Sequence, residues 1–195
     1  MLIKTSQVAS LLLTVLLSVS CAQEDTKPSD EGATETKTES ESNSEAAKPD
    51  EDAVVAEGFS IVPPDGWEKG DADGNTFMVY LDAPKDNFRA NFNVNSSKDD
   101  GVPIDKLAEL LKPAMAKQFE GYQAVEDGKT ELNGAEAYFL SGRFKTQGHD
   151  IQNLQYYIRG KQNRFYVLTF TAPAASYASY EPIFKEAAET VTAVD

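Results

Sequence analysis

The chain has 195 residues, a formal net charge of −14 and only one cysteine, one tryptophan and one histidine. Residues 22–52 carry 11 acids against 3 lysines, and residues 53–195 carry 21 acids against 14 basic residues, so both parts are acidic. This charge argues against nucleic acid as a partner and against a basic patch that would hold the protein on anionic lipids.

Aromatic residues locate the folded part of the chain. All 19 of them lie between Phe59 and Phe184. A segment without aromatics has little from which to build a core. We therefore predict one folded domain over residues 53–195, which is long enough to bury a core without a disulfide or a metal ion.

The first 20 residues are typical of a secretory signal peptide. Lys4 gives the start a positive charge, residues 8–19 are apolar apart from hydroxyl side chains, and the small residue Ser20 precedes Cys21. The apolar run is shorter than the roughly 20 residues that a transmembrane helix needs. The sequence therefore predicts export, with a signal peptide over residues 1–20.

The residues Leu17-Ser-Val-Ser-Cys21 resemble the lipobox of bacterial lipoproteins. The resemblance implies that Cys21 is acylated and becomes the first residue of the mature chain. Ser18 stands where the family usually has leucine, and an ordinary secretory signal with an incidental cysteine remains the alternative. Because the residue after the cysteine is Ala22 and not aspartate, the resemblance favours the outer membrane in a cell that has one. An exported protein with one cysteine cannot form an internal disulfide, which also favours lipidation.

Residues 22–52 are composed almost entirely of Glu, Ser, Thr, Asp, Lys and Ala, without apolar periodicity. Such a segment cannot bury enough surface to offset its ordering entropy, so we expect a disordered linker between Cys21 and the domain. As a flexible coil it would span on the order of 30 Å. The alternative is a tail that binds cations or a basic partner.

The first half of the domain predicts three strands and a helix. A short strand at 59–61 ends at Pro63-Pro64-Asp65-Gly66, after which Trp67 is expected to pack over the edge of the core. Residues 75–82 predict a strand buried on both faces, and residues 89–96 alternate between apolar and polar side chains. Residues 103–119 predict an amphipathic helix, kinked by Pro113 near residues 109–110.

The second half predicts hairpins and a final helix. Residues 122–126 and 129–132 flank Asp127-Gly128, and Asn133-Gly134 leads into a strand at 135–144. Two more strands at 150–159 and 164–171 follow, of which the second is apolar on both faces and should be central. Residues 173–191 predict a helix that Pro182 divides. Antiparallel strands with one internal and one final helix indicate an α+β domain.

These residues together resemble the PsbP-like fold, including its bacterial DcrB-like lipoprotein branch. The resemblance rests on Ile61-Val-Pro-Pro-Asp-Gly-Trp67, on the Asn-rich alternating strand, and on Tyr166-Val-Leu-Thr-Phe-Thr-Ala172 followed by a helix with Tyr180 and Phe184. It implies a central antiparallel sheet flanked by helices, an α/β/α sandwich, and non-catalytic accessory proteins of membrane complexes. It supplies no active site.

Three polar features of the sequence are candidate sites. His149 lies beside Asp150 without a nucleophile in reach, and we expect an exposed loop histidine. Asp71, Asp73 and Asn75 alternate as calcium ligands do, but Asp82 stands where a calcium loop closes with glutamate, so a solvated turn is favoured. Arg89, Asn91, Asn93 and Asn95 would form a polar binding surface; the alternative is a solvated sheet face or a row of hydrogen bonds to a neighbouring loop.

The sequence thus predicts a lipid-anchored, extracytoplasmic envelope protein with lipidation at Cys21. It shows no phosphate-binding glycine loop and no nucleophile elbow, and we predict no enzyme activity, cofactor or metal. The favoured function is an accessory or docking module of an envelope complex, with the membrane and a protein as partners. The alternative is a lipoprotein that binds a small ligand or a cation.

Overall fold

The computed structural model describes residues 52–193. The predicted signal peptide, Cys21 and nearly all of the acidic linker lie outside these residues. Their predictions therefore stay predictions.

A seven-stranded antiparallel sheet forms the centre of the domain, in the order β3-β4-β5-β9-β8-β7-β6. Its strands are β3 (Glu68–Lys69), β4 (Thr76–Leu81), β5 (Asn91–Lys98), β6 (Gln123–Leu132), β7 (Ala135–Thr146), β8 (His149–Arg159) and β9 (Arg164–Pro173). The strand that is apolar on both faces, β9, occupies the middle position, which confirms its predicted central place.

A second, smaller sheet joins the two ends of the described chain. It consists of β1 (Val54–Ala56), β2 (Phe59–Ile61) and β10 (Thr192–Ala193), in the order β1-β2-β10. Of these only β2 was predicted, because β1 and β10 are too short to show periodicity and are held by pairing with β2.

Two helices cover opposite faces of the large sheet. Helix α1 (Leu107–Gln118) follows a 3-10 turn at Ile104–Lys106, and helix α2 (Tyr177–Glu189) follows β9. One core lies under α2 and the small sheet, and it includes Phe59, Phe92, Phe170 and Phe184. The other core lies under α1. The predicted arrangement of a central antiparallel sheet between helices is confirmed.

The Asn133-Gly134 hairpin turn is also confirmed. It joins β6 to β7, and both residues have positive φ, +46° and +82°. Asparagine and glycine tolerate this backbone conformation better than other residues, which is why the dipeptide was informative.

The hairpin predicted around Asp127-Gly128 is wrong. Residues 123–132 form one strand, β6, in which Asp127 pairs with Leu140 and Gly128 pairs with Phe139. Glycine is needed at position 128 for close packing and not for a turn, because a Cβ there would lie 3.0 Å from Cε1 of Phe139. A glycine inside a strand often marks such a close approach.

Two smaller predictions also differ from the structure. Pro182 does not divide the final helix, since α2 continues through it. The strand β4 is buried on both faces only at its centre, at Met78 and Val79, which point to opposite sides, and its other residues are half-buried.

Candidate binding groove beside Trp67

A groove of about 380 Å³ lies between the β2–β3 connection and the C-terminal half of α2. Its lining residues are Val62, Pro63, Pro64, Asp65, Trp67, Ile183, Glu186, Ala187 and Thr190. Its volume is in the range of known ligand and peptide pockets. The Pro-Pro-Asp-Gly-Trp segment stands out in the sequence, but the groove could not be predicted from it. The opposite wall is contributed by a helix more than 100 residues later in the chain.

The connection is fixed by local hydrogen bonds. The Trp67 N–H donates to the carbonyl oxygen of Pro64 (3.1 Å), and Gly66 between them has a φ of +76° that suits glycine. The Val62 N–H donates to Oγ1 of Thr190 (2.8 Å), which itself donates to the carbonyl oxygen of Ala187 (2.7 Å). These bonds hold the connection against the end of α2, so the two walls of the groove are tied together.

Trp67 packs over the edge of the core, as predicted. Its ring stacks on Phe92 at a centroid distance of 6.1 Å and meets the edge of Phe184 at 6.2 Å. Phe92 and Phe184 are both completely buried, whereas Trp67 is half-buried. The indole is therefore held on a rigid support, and Trp67 is part of the groove lining.

The rim of the groove is acidic and its walls are largely apolar. Asp65 and Glu186 are exposed, and the lining contains no lysine, arginine or histidine. Ile183 is 38% exposed, which is high for an isoleucine in a helix packed on a sheet. The arrangement suits a ligand that carries both an apolar and a cationic group.

Tyr180 secures the first half of α2. Its hydroxyl donates to Oδ2 of Asp82 at 2.7 Å, and its ring stacks on Phe184 at 5.8 Å. Burial, with the hydrogen bond to Asp82, raises the pKa of Tyr180 to about 12. The phenol therefore stays neutral at physiological pH and acts as a hydrogen-bond donor that positions the helix.

The asparagine row of β5 is not a surface. Asn93 and Asn95 are only 5% and 3% exposed, which makes the solvated face predicted from the sequence wrong. Oγ1 of Thr76 donates to Oδ1 of Asn95 (2.7 Å), and Nδ2 of Asn95 donates to Oδ1 of Asn93 (3.0 Å). These hydrogen bonds join β4 to β5 and neighbours within β5, whereas the alternative interpretation expected bonds to a neighbouring loop.

Asn91 and Arg89, the other two residues of that row, also form polar contacts within the protein. Nδ2 of half-buried Asn91 donates to the carbonyl oxygen of Arg89 at 2.9 Å. The Arg89 guanidinium pairs with Glu68 at 2.9 Å and also donates to the carbonyl oxygen of Asp82. Arg89 therefore fastens the edge of the sheet and does not extend a binding face.

A second titratable cluster links α1 to the sheet. Nζ of Lys112 lies 2.5 Å from Oδ1 of Asp127, whose other oxygen accepts the hydroxyl hydrogen of Tyr138. The hydrogen bond from Lys112, followed by that from Tyr138, lowers the pKa of Asp127. Burial, reinforced by the bond to Asp127, raises the pKa of Tyr138. The cluster is a structural clamp, and it explains why Asp127 belongs in a strand.

The remaining sequence candidates lie apart from the groove lining. Asp71, Asp73 and Asn75 are exposed, and the backbone around them turns through a bond from the Thr76 N–H to the carbonyl oxygen of Asp73 (3.0 Å). Between residues 52 and 193 no group of three or more His, Cys, Asp or Glu residues is arranged to hold a metal ion.

His149 is not an exposed loop histidine. It is the first residue of β8, it is half-buried, and its ring meets that of Phe88 at 5.5 Å. The prediction failed because Phe88 is distant in sequence and packs over the start of this strand. His149 thus contributes to the packing of the core under α1.

Comparison with known proteins finds similarity at the level of the fold. No family model matches the sequence, and no curated protein matches it. The solved structure of LpqN, described as involved in cell envelope biogenesis of Mycobacterium tuberculosis, is 16% identical, with a TM-score of 0.57. The match covers 70% of this chain and 83% of LpqN.

Two further solved structures share the arrangement. Cyanobacterial PsbP (CyanoP) from Synechocystis is 14% identical with a TM-score of 0.54, and the match covers 70% of this chain and 86% of CyanoP. The Ran-binding protein Mog1p of Saccharomyces cerevisiae is 13% identical with a TM-score of 0.53, and the match covers 73% and 95%. The domain therefore has a PsbP/Mog1-like fold. Its described helices include none that is long and apolar enough to span a membrane.

Proposed function

We propose that this protein is an extracytoplasmic lipoprotein whose domain is a non-catalytic docking module for a protein of the cell envelope. The observation that carries the proposal is the groove beside Trp67, which offers apolar walls and an acidic rim on a rigid support. Its lining holds no nucleophile placed beside a base, so the groove is suited to binding. The fold it shares with an envelope-biogenesis protein and a Ran-binding protein supports the same function.

The membrane attachment is proposed to reside in Cys21. The lipobox-like residues before it, the acidic linker after it and the lack of any other cysteine support this assignment. Each buried methylene of an acyl chain contributes about 0.8 kcal/mol, so two or more chains give a stable anchor. The outer membrane is favoured in a cell that has one.

Replacing Cys21 by serine tests the anchor. We expect Cys21→Ser to remain unprocessed or to be released as a soluble protein, because no thiol remains for acylation. The measurement is detergent phase partitioning together with the mass of the mature chain. A matched Ser20→Ala variant keeps the cysteine and should still partition into detergent. If Cys21→Ser matures and partitions as the wild type does, the lipoprotein assignment is wrong.

Site-specific photo-crosslinking tests the docking function on the membrane-bound chain. A photoreactive amino acid at Ile183, in the groove, is expected to give a discrete adduct with one envelope protein. The same group at Val125, which is 57% exposed on the edge strand β6, is the control and should give no such adduct. Equal labelling from both positions would contradict docking at the groove.

The alternative function is binding of a small ligand or a cation. The acidic rim formed by Asp65 and Glu186 is the observation that favours it. A partner protein is preferred, because the half-exposed Trp67 and Ile183 call for an apolar complement that a simple cation lacks.

A further inference from the structure

We infer that the groove beside Trp67 receives a cationic peptide segment of the partner, in which an apolar side chain neighbours a lysine or an arginine. The inference rests on the proposed docking function and specifies the chemistry of its partner.

The walls of the groove favour an apolar side chain in the bound segment. Pro63 and Pro64 belong to one wall and Ile183 to the other, and Trp67 is also part of the lining. An aliphatic side chain inserted here would bury apolar area on both sides. An indole face also attracts a lysine or arginine head group, so the same residue favours both components of the segment.

The acidic rim of the groove favours a cationic side chain in the bound segment. Neither Asp65 nor Glu186 forms an ion pair within residues 52–193. Lys185, which neighbours Glu186 in sequence, is engaged by Glu181 at 2.6 Å. The two rim carboxylates therefore have no ion-pair partner among the described residues, and a basic segment would complement them.

Charge also argues against two other possible occupants of the groove. The chain's own linker, residues 22–52, carries a net charge of −8 from 11 acids and 3 lysines, so the acidic rim disfavours it. An anionic lipid surface is disfavoured for the same reason. A free polyamine would match the charge but would leave the walls formed by Trp67 and Ile183 unfilled.

Trp67 is the only tryptophan of the chain, so its fluorescence reports on the groove directly. The probe is the capped pentapeptide Gly-Lys-Leu-Lys-Gly, titrated into the full mature chain in a neutral detergent. We expect a saturable change in the emission of Trp67. The same peptide with glutamate for lysine, and the peptide with serine for leucine, should bind more weakly or not at all.

The rim variant is Asp65→Asn combined with Glu186→Gln. Two exposed charge pairs are together expected to weaken binding by about twofold to thirtyfold. The matched control is Glu120→Gln combined with Glu131→Gln, which removes the same charge from exposed positions outside the groove lining and should bind as the wild type does. Circular dichroism verifies that both variants are folded.

Several results would overturn the inference. They are equal binding by the rim variant, equal binding of spermidine or of the serine peptide, and no saturable binding of the lysine-leucine peptide at millimolar concentration. A change in Trp67 emission on deletion of residues 22–51, without peptide, would assign the groove to the chain's own linker. If the rim variant still gives the photo-crosslinked adduct from position 183, docking at the groove stands and only the cationic nature of the partner is wrong. If the chain with an unchanged rim gives no adduct from position 183, docking at the groove is itself wrong.

Discussion

Asn133 connects the β6–β7 hairpin to the end of the domain through one side chain. Its Nδ2 donates to the carbonyl oxygen of Glu189 at 2.8 Å and to that of Val191 at 2.9 Å. Carbonyl groups at the end of a helix lack partners within the helix, so Asn133 satisfies that of Glu189 and also binds the chain just beyond α2 at Val191. The same residue has the positive φ that the turn requires.

Replacing Asn133 separates these two roles. Asn133→Gly keeps the tolerance for positive φ but removes both donors, and we expect a loss of about 1–2 kcal/mol in the free energy of unfolding. Asn133→Ala should cost about 1 kcal/mol more, because alanine is strained at this φ. Urea unfolding followed by circular dichroism measures both. Equal stability of the glycine variant and the wild type would show that the two hydrogen bonds contribute nothing.

The turn at Asn133 could be predicted from the sequence, but its link to α2 could not. Turn preference is a property of the dipeptide itself. The carbonyl oxygens that Asn133 contacts belong to residues 56 and 58 positions later, and no local pattern indicates them.

At the scale of elements, α2 has one face in the core and another that lines the groove. Phe184 is fully buried and contacts Phe170 at 4.9 Å as well as Trp67 and Tyr180. Ile183, the preceding residue, points into the groove lining and is 38% exposed. Adjacent positions on this helix therefore serve different purposes.

Alanine substitution distinguishes the two faces. Phe184→Ala is expected to lower the free energy of unfolding by about 3–5 kcal/mol, because it opens a cavity among packed rings. Ile183→Ala should change stability by about 1 kcal/mol or less, since much of the side chain is already in contact with solvent. Chemical denaturation gives both values. A large loss with Ile183→Ala would mean that this residue belongs to the core.

Strands β6 and β9 show how far sequence patterns reach at this scale. The apolar run in β9 predicted a central strand because burial on both faces is recorded in the strand's own residues. In β6 the Asp127-Gly128 pair predicted a turn, yet both residues are held in the strand by distant groups, Lys112 and Tyr138 around Asp127 and Phe139 over Gly128. Tertiary contacts override a dipeptide preference.

At the scale of the whole molecule, the tyrosines make stability depend on high pH. Burial is the largest cause that raises the pKa of Tyr122, Tyr156, Tyr177 and Tyr180 to about 12. It also raises the pKa of Tyr138, Tyr157 and Tyr166. Seven of the eight tyrosines therefore hold their protons more tightly in the folded state.

The sign of the effect follows from these shifts. A raised pKa contributes stability that is fully present below about pH 10, the unfolded value, and is lost as the pH rises towards 12. We therefore expect the free energy of unfolding to fall steeply above about pH 10. Phenolate absorbance should remain low at about pH 11 and rise together with the loss of the circular dichroism signal. Complete ionisation of the tyrosines in a protein that keeps its native signal would contradict the structure.

The α+β class could be predicted at this scale, and the resemblance implied a PsbP-like fold, whereas the groove could not be predicted. Strand alternation and helix periodicity are visible within short stretches of sequence, and they are enough to predict a sheet between two helices. The groove arises where the connection after β2 meets α2, and the bond from Val62 to Thr190 that closes it spans 128 positions.

The small sheet also sets how the domain would bear mechanical load. Its outer strands β1 and β10 pair with the two sides of β2, so Val55 and Thr192 both lie opposite Ser60, at positions about 10 Å apart across the sheet. A pull on the chain at Asp52 is carried first by the three residue pairs of β1 with β2. Because β1 is an outer strand, this pairing lies between Asp52 and the seven-stranded sheet. If the chain is anchored at Cys21 and docks a partner, as proposed, tension between the membrane and that partner would act first on the pairs of β1 with β2.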